Sequence, residues 1–321
     1  MNYDALGAQL ANRSRPGLSE ELADKLNVKS EDAVRGELLA LTEDKRGVLG
    51  VYLLAVYVID DTDFWSDGEI YWWSIPTLET KGGGVTWGAT YGLPNGAPPH
   101  RCGDLEWMTN IALKDPPLLA AIPQTDPEVV GCNVRVAVYD DDGAVADFAT
   151  SMAAGYEALS LCKRSGLTGT SSIVGPVRDA IFKTLRGEQD DVLVEHDVVL
   201  RRDDARFGVG FIGSASTTKA RVYYFVKDEL RTVTLGPVAI TKGASATLKP
   251  DQPVAAGGAF AIFARGADKS TEVTCGILGT LTTDTPFLGK VLDEAQAKAL
   301  NAGLKLDSNA DVSVVAFYTA L

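Results

Sequence analysis

Alternation of apolar and polar residues at every second position is the sequence feature that most limits how this chain can fold. It occurs over residues 134–138, again over residues 192–200, and once more over residues 312–316. Because successive side chains of a β-strand point to opposite faces, a period of two predicts strands with one buried face. Short strands of this kind, separated by Gly, Pro and Asn, are typical of antiparallel sandwiches. We therefore predict an all-β protein with helical additions.

The length of the chain predicts two such sandwiches. A chain of 321 residues exceeds the usual size of one domain. The polar run over residues 201–206 separates two strand-rich halves, so we place a domain boundary near Asp204. The predicted parts are an N-terminal helical segment (1–47), a calcium-binding β-sandwich with a helical insertion (48–204) and a second β-sandwich (205–321).

The predicted elements can be placed along both halves. A Pro-rich connection over residues 92–127 interrupts the strands of the first half, and the second half contains one predicted helix over residues 292–301. The predicted strands of the first half are 48–59, 69–76, 84–91, 132–139 and 191–201. Those of the second half are 221–226, 231–235, 259–264, 271–278 and 311–318.

Acidic residues gather directly after two predicted strands. Four acids fall within the eight positions from Asp60 to Asp67, and a second group follows the strand that ends at residue 139. Carboxylates this close repel one another, and a hard cation such as calcium relieves the repulsion because it takes several oxygen ligands. Asp is also frequent in turns that bind no metal, so this alternative stays open. The candidate metal ligands are Asp60, Asp61, Asp63, Asp67, Asp140, Asp141, Asp142 and Asp147.

The spacing of these acids resembles that of a known family. Asp61 and Asp67 lie six positions apart, and Asp140, Asp142 and Asp147 follow a Val-rich strand. Over residues 48–202 the pattern resembles the calcium-dependent lipid-binding domain of protein kinase C and synaptotagmin, the C-two family. The resemblance implies that the first pair belongs to a first calcium-binding loop and the other three acids to a third. The sequence departs from the family where residues 68–71 replace the usual Pro-Tyr.

Large apolar side chains accompany both acidic loops. Phe64 and Trp65 lie in the middle of the first loop, and Val145 and Phe148 flank the end of the second. Such side chains are costly to leave in water, and aromatic rings favour the bilayer interface. We therefore expect these four residues to contact a phospholipid membrane once calcium has neutralised the acids. The alternative is that the loop aromatics fold back onto their own sheet.

The net charge argues against nucleic-acid binding, and the absence of known catalytic motifs argues against catalysis. A net charge of −13 disfavours nucleic acid, because binding to phosphates requires clustered Lys and Arg. With no secretory signal and no apolar run long enough to span a bilayer, we expect a cytoplasmic protein that associates peripherally with membranes. The sequence contains no Ser elbow, phosphate-binding Gly loop or H-E-x-x-H motif, so we expect no catalytic activity.

Three functions remain in competition. The first, which we expect, is calcium binding with calcium-dependent docking to a membrane or lipid through the acidic loops. The second is a calcium-stabilised structural or assembly subunit, with a protein partner or a second copy of the chain bound through the second sandwich. The third is a carboxylate-based hydrolase, because two suitably placed acids suffice for cleavage of a glycosidic bond.

Overall fold

Nineteen strands account for most of the residues that the computed structural model describes. The described residues are 47–61, 67–81, 85–87, 91–92, 100–124, 126–140, 191–267 and 269–321. The predicted helical segment over residues 1–47, apart from Gly47, and the predicted helical insertion before residue 190 lie outside them. Among the described residues, no helix combines the length and the apolar character that crossing a bilayer requires.

Eleven of these strands form the first sandwich. All their pairings are antiparallel. In chain order they are β1 (Val48–Val58), β2 (Gly68–Thr80), β3 (Val85–Trp87), β4 (Tyr91–Gly92), β5 (His100–Cys102), β6 (Glu106–Trp107), β7 (Leu118–Pro123), β8 (Val129–Asp140), β9 (Asp191–Arg201), β10 (Phe211–Ser216) and β11 (Ala220–Asp228).

Two sheets face each other in this first sandwich. One has the order β10-β11-β1-β6, with β7 also paired to β1, and the other has the order β3-β2-β8-β9, with β4 and β5 also paired to β2. The core between them includes Leu53 and Val56 from β1 and Val134, Val136 and Val138 from β8. Burial of each such aliphatic side chain stabilises the fold by about 1.5–3 kcal/mol. The alternation along β8 thus buries one face, as the period of two predicts.

The second sandwich contains the remaining eight strands and one α-helix. Its two antiparallel sheets have the orders β12-β19-β14-β17 and β13-β18-β15-β16. The helix α1 (Glu294–Gly303) begins after Asp293, whose carboxylate accepts a hydrogen bond from Gln296 N while the Gln296 side chain accepts one from Asp293 N. The strands are β12 (Thr232–Ile240), β13 (Ser245–Leu248), β14 (Ala259–Gly266), β15 (Glu272–Thr274), β16 (Thr280–Thr282), β17 (Phe287–Val291), β18 (Leu304–Ser308) and β19 (Val312–Thr319).

An apolar interface joins the two sandwiches. The rings of Phe225 on β11 and Phe317 on β19 stack with their centroids 3.6 Å apart. Next to them, Leu54 and Tyr57 of β1 pack in the same cluster as Phe263 of β14. Every residue of β1 is buried, because one face of the strand covers the first core and the other meets the second sandwich. This double burial explains why β1 is a continuous apolar run.

The prediction of an all-β protein with two antiparallel sandwiches is confirmed. The run near Asp204 is an exposed turn in which the Arg206 guanidinium donates hydrogen bonds to the Asp204 carboxylate. The strands β10 and β11 follow this turn and still pair in the first sandwich, so sheet membership changes between Asp228 and Thr232. The boundary between independent domains near Asp204 stays a prediction.

Candidate functional site

Three carboxylates come together at one end of the first sandwich. Asp60 and Asp61 lie just after β1, and Asp104 lies in the turn between β5 and β6. One carboxylate oxygen from each residue lies within 4.8 Å of the other two, and Asp61 is buried whereas Asp60 and Asp104 are exposed. A calcium ion takes about six to eight oxygen ligands, of which this cluster offers three.

Strand pairing and backbone hydrogen bonds fix the position of Asp104. The short strand β6 pairs with the end of β1, where Val58 faces Glu106, and this brings the turn beside Asp61. The amide of Asp61 then donates a hydrogen bond of 2.9 Å to Asp104 Oδ1. The cluster is therefore set by the β-ladder and does not depend on long, flexible side chains.

Asp140, the last residue of β8, lies next to this cluster. Its Oδ1 accepts a hydrogen bond of 2.8 Å from Glu69 N, while Asp61 Oδ2 accepts one of 3.0 Å from Gly68 N. A Cβ at Gly68 would lie 2.8 Å from Asp140 Oδ2 and 2.9 Å from Asp61 Cβ. Only glycine fits this position without a shift, because Asp61 and Asp140 both lie against it.

Asp67, the other described acid of the first loop, lies beside the turn that contains Asp104. A Cβ at Gly103 would lie 3.1 Å from Asp67 Oδ1, and Gly103 N donates a hydrogen bond of 3.3 Å to Glu106 Oε2. The carboxylates of Asp67 and Glu106 therefore flank the same glycine. Five aspartates and one glutamate surround this end of the sandwich, and we call it the acidic end: Asp60, Asp61, Asp67, Asp104, Glu106 and Asp140.

The negative charge of the acidic end acts on the neighbouring thiol. Burial, together with the carboxylates of Glu106, Asp61 and Asp67, raises the pKa of Cys102 to about 12. His100, two residues earlier, accepts a hydrogen bond of 3.2 Å from Thr109 N through Nε2, and burial lowers its pKa. Both side chains therefore stay uncharged at neutral pH.

Two basic residues near the acidic end, Lys219 and Arg101, are engaged with other acids. Lys219 Nζ lies 3.0 Å from Asp191 Oδ2, and Arg101 Nη2 lies 3.4 Å from Glu69 Oε1. Within the part of the chain that the structure describes, Asp67, Asp104 and Glu106 form no ion pair. These three carboxylates keep oxygens available for a cation.

The structure places four of the predicted metal ligands. Asp60 and Asp61 belong to the three-carboxylate cluster, Asp140 lies beside it, and Asp67 lies beside Gly103. Asp104 is not among the predicted ligands, because this residue lies in the Pro-rich connection and follows no long apolar run. The predicted ligands outside the described residues are Asp63, Asp141, Asp142 and Asp147. The predicted membrane contacts outside them are Phe64, Trp65, Val145 and Phe148.

Comparisons with known proteins add little to this geometry. No protein family and no curated protein matches the chain. Among solved structures, two of human GIVD cytosolic phospholipase A2 are similar: one in complex with the inhibitor methyl gamma-linolenyl fluorophosphonate and terbium chloride, the other with methyl gamma-linolenyl fluorophosphonate. Each shows 10% identity and covers 86% of this chain and 32% of that chain, with TM-scores of 0.22 and 0.23. The chain thus spans about a third of the length of that enzyme, and likenesses with such TM-scores carry no conclusion about function.

Proposed function

We propose that the acidic end binds calcium and that the bound ion allows this end of the molecule to dock on a phospholipid membrane. The observation that supports the proposal is the approach of Asp60, Asp61 and Asp104, whose carboxylate oxygens lie within 4.8 Å of one another. They come from two segments more than forty residues apart in sequence, which the pairing of β1 with β6 brings together.

The donor atoms at the acidic end favour calcium over softer metals. All the ligands on offer are carboxylate oxygens, which suit hard cations. Zinc would be expected to recruit nitrogen or sulfur, but His100 Nε2 already accepts a hydrogen bond from Thr109 N and the thiol of Cys102 is buried with a raised pKa. Further oxygens would come from Asp140 and, in this proposal, from Asp142 and Asp147.

The charge of the acidic end explains why docking would require the ion. Carboxylates repel anionic headgroups, whereas a bound divalent cation can be the largest local charge and reverse the sign of the local field. The apolar residues of the acidic loops, Phe64, Trp65, Val145 and Phe148, would then enter the bilayer interface. The resemblance to the C-two family supports the same assignment.

The calcium site is tested by thermal unfolding with calcium and with chelator. Calcium at a hundredfold excess over its Kd stabilises the native state by about 2.7 kcal/mol, so we expect the melting temperature of the wild type to rise by about 5 °C. Asp104→Asn keeps the acceptor for Asp61 N but removes one charged ligand, so its rise should be much smaller. The matched control is Asp251→Asn, an exposed acid of the second sandwich. Equal melting of the wild type in both buffers would exclude the site.

Membrane docking is tested by co-sedimentation with vesicles of phosphatidylcholine and phosphatidylserine. Burial of an aromatic side chain contributes about 1.5–3 kcal/mol, so Phe64→Ala combined with Trp65→Ala should weaken calcium-dependent binding at least tenfold. The calcium-induced rise in melting temperature should persist in this double variant. If the wild type binds calcium but ignores the vesicles, the calcium-stabilised assembly subunit becomes the better assignment.

A further inference from the structure

The strand β9 forms an edge of the first sandwich and is open along its C-terminal part. Among the described residues, β9 pairs with β8 alone. Near its start it is covered by the turn between β10 and β11: the Thr217 hydroxyl donates a hydrogen bond of 2.6 Å to the Leu193 carbonyl, and Lys219 pairs with Asp191. Within the described part of the chain, no comparable contact covers residues 195–201, which we call the open edge.

The hydrogen bonds between β8 and β9 show which backbone groups of the open edge point outwards. Arg202 N donates to Val130 O at 2.9 Å, and the register runs without a shift from Arg201, opposite Gly131, to Val194, opposite Val138. Antiparallel strands alternate between hydrogen-bonded and non-hydrogen-bonded pairs, so residues 196, 198 and 200 bond to β8. Residues 195, 197, 199 and 201 therefore direct their N–H and C=O groups away from β8, towards a further strand.

The side chains of the open edge place an apolar residue between two opposite charges. Val199, which is 47% exposed, lies between Asp197 and Arg201 on one face of the strand. Arg135 donates hydrogen bonds of 2.9 Å and 2.7 Å to the Asp197 carboxylate. The Arg201 side chain is 54% exposed, and its ion pairs are longer, at 3.3 Å and 3.5 Å. An order of acid, valine and base is complementary to itself when a second strand runs antiparallel.

An edge of the second sandwich has features that prevent such pairing. The edge strand β12 contains Pro237, and its register shifts between Leu235 and Val238. Prolines and bulges on edge strands block the addition of a further strand, because they remove a donor or bend the edge. The open edge contains no proline and no register shift. It therefore keeps the regular geometry that a second strand requires.

We propose that two copies of this chain associate through their open edges, with β9 of one copy antiparallel to β9 of the other about a twofold axis at Val199. Each Val199 then lies opposite its copy, and each Asp197 lies opposite Arg201 of the other copy. Opposite charges and apolar pairs across strands are favourable, whereas like charges directly opposite are unfavourable. An axis at Asp197 would oppose the two carboxylates, and an axis at Val198 would place each Val199 opposite a carboxylate. Charge and burial therefore select the axis at Val199.

Sedimentation equilibrium of the full chain over a concentration series tests the association. The pairing involves no cation, so the measurement is made in chelator and is independent of the proposed calcium site. We expect the wild type to form a dimer that dissociates on dilution. Val199→Lys places two ammonium groups opposite each other at the axis and should raise the Kd of the dimer at least about tenfold.

The matched control is Val233→Lys, because Val233 is a 41% exposed valine of β12. It should dimerise as the wild type does. Both valines are exposed, so both variants should fold, which circular dichroism checks. A wild type that is monomeric at every concentration overturns the proposal, and so does a dimer that both variants form equally well.

Disulfide cross-linking tests the position of the axis. In a hydrogen-bonded antiparallel pair the Cα atoms lie about 5.5 Å apart, within the span of about 4.4–6.8 Å that a disulfide bridges. Val199→Cys should therefore cross-link to its copy under diamide at least about tenfold faster than Val233→Cys. Both variants also carry Cys162→Ser, and the described cysteines Cys102, Cys132 and Cys275 are buried. Equal rates of cross-linking would exclude the axis at Val199.

Discussion

The two ends of the first sandwich surround their buried aspartates with different groups. At the end where the chain passes into the second sandwich, Asp228 is 2% exposed and accepts hydrogen bonds from the amides of Leu230 and Arg231, from Gln124 Nε2 and from Arg231 Nε. At the acidic end, Asp61 accepts one from Gly68 N and shares its surroundings with other carboxylates. A guanidinium next to a buried carboxylate compensates its charge within the fold, whereas carboxylates gathered together favour an external cation.

The thiol at the acidic end provides the largest expected effect. Since the pKa of Cys102 is raised from 9.0 to about 12, its thiolate fraction at pH 8 should be about a thousandfold below that of an ordinary cysteine. We expect iodoacetamide to modify it correspondingly slowly in the native protein in chelator, as measured by peptide mass spectrometry. The raised pKa stabilises the fold below pH 9, and this contribution is lost as the pH rises towards 12.

A variant at the acidic end sharpens this expectation. Asp67→Asn removes one of the carboxylates that raise the pKa of Cys102, so alkylation of this thiol should become a few times faster. Burial and the Glu79 carboxylate raise the pKa of Cys132, so alkylation of this second thiol should not change. Equal acceleration of both thiols would instead indicate general loosening of the sandwich.

Removal of the carboxylate at the other end should cost the most stability. Asp228→Ala leaves Arg231 and three further donors without their acceptor, and breaking a buried pair in this way destabilises proteins by about 3–5 kcal/mol. Arg231 is half-exposed, so we expect a loss near 3 kcal/mol in urea unfolding at pH 7. The control is Asp203→Ala, whose side chain is 79% exposed. A loss no larger than that of the control would contradict a structural role for Asp228.

Glycine at position 105 should relieve the backbone strain of the turn at the acidic end, where Leu105 has a φ of 59°. A left-handed residue other than glycine costs about 1 kcal/mol, so Leu105→Gly should be more stable than Leu105→Ala by about that amount. Both variants lose the same apolar side chain, which makes alanine the matched control. Urea unfolding in chelator measures the difference, and a more stable alanine variant would show that Leu105 is not strained in solution.

Removal of a carboxylate from the three-carboxylate cluster should change the stability least. It should raise the stability, whereas Asp228→Ala lowers it. Without a cation, Asp104→Asn relieves repulsion between partly exposed charges, so we expect a gain of about 0.5 kcal/mol at low salt. This gain should shrink as added salt screens the charges. Urea unfolding in chelator at two salt concentrations measures it, with Asp251→Asn as the control. A loss of stability at low salt would contradict the comparison between the two ends.

Strands with their own local signal were predictable from the sequence. The alternation over residues 134–138 and 192–200 corresponds to β8 and β9, and the predicted helix over residues 292–301 corresponds to α1, which the Asp293 capping box begins. β7 was missed because its run Leu118–Pro123 lies within the Pro-rich connection and has no period of two. The burial pattern of a strand, helix propensity and capping each depend on residues that are close in sequence. They can therefore be recognised from the sequence alone.

Contacts that depend on the pairing of strands far apart in sequence could not be predicted from local patterns. Asp104 joins Asp61 only because β6 pairs with the end of β1, and no local pattern specifies that partner. For the same reason, the sequence gives no sign that β11 pairs with β1, about 170 residues earlier in the chain. The acidic loops were visible in the sequence, but the turn that completes their carboxylate cluster was not.

The apolar interface between the sandwiches gives the molecule a layered architecture. The sheet that contains β1 packs against the β2 sheet on one face and against β14 and β19 on the other, and those two strands also cover the core of the second sandwich. The four sheets therefore form a continuous stack in which the central strands β1, β14 and β19 are buried on both faces. Neither sandwich can separate without exposing rings such as Phe225 and Phe317, so the stack should unfold cooperatively, and an ion held at one outer edge would stabilise all four layers.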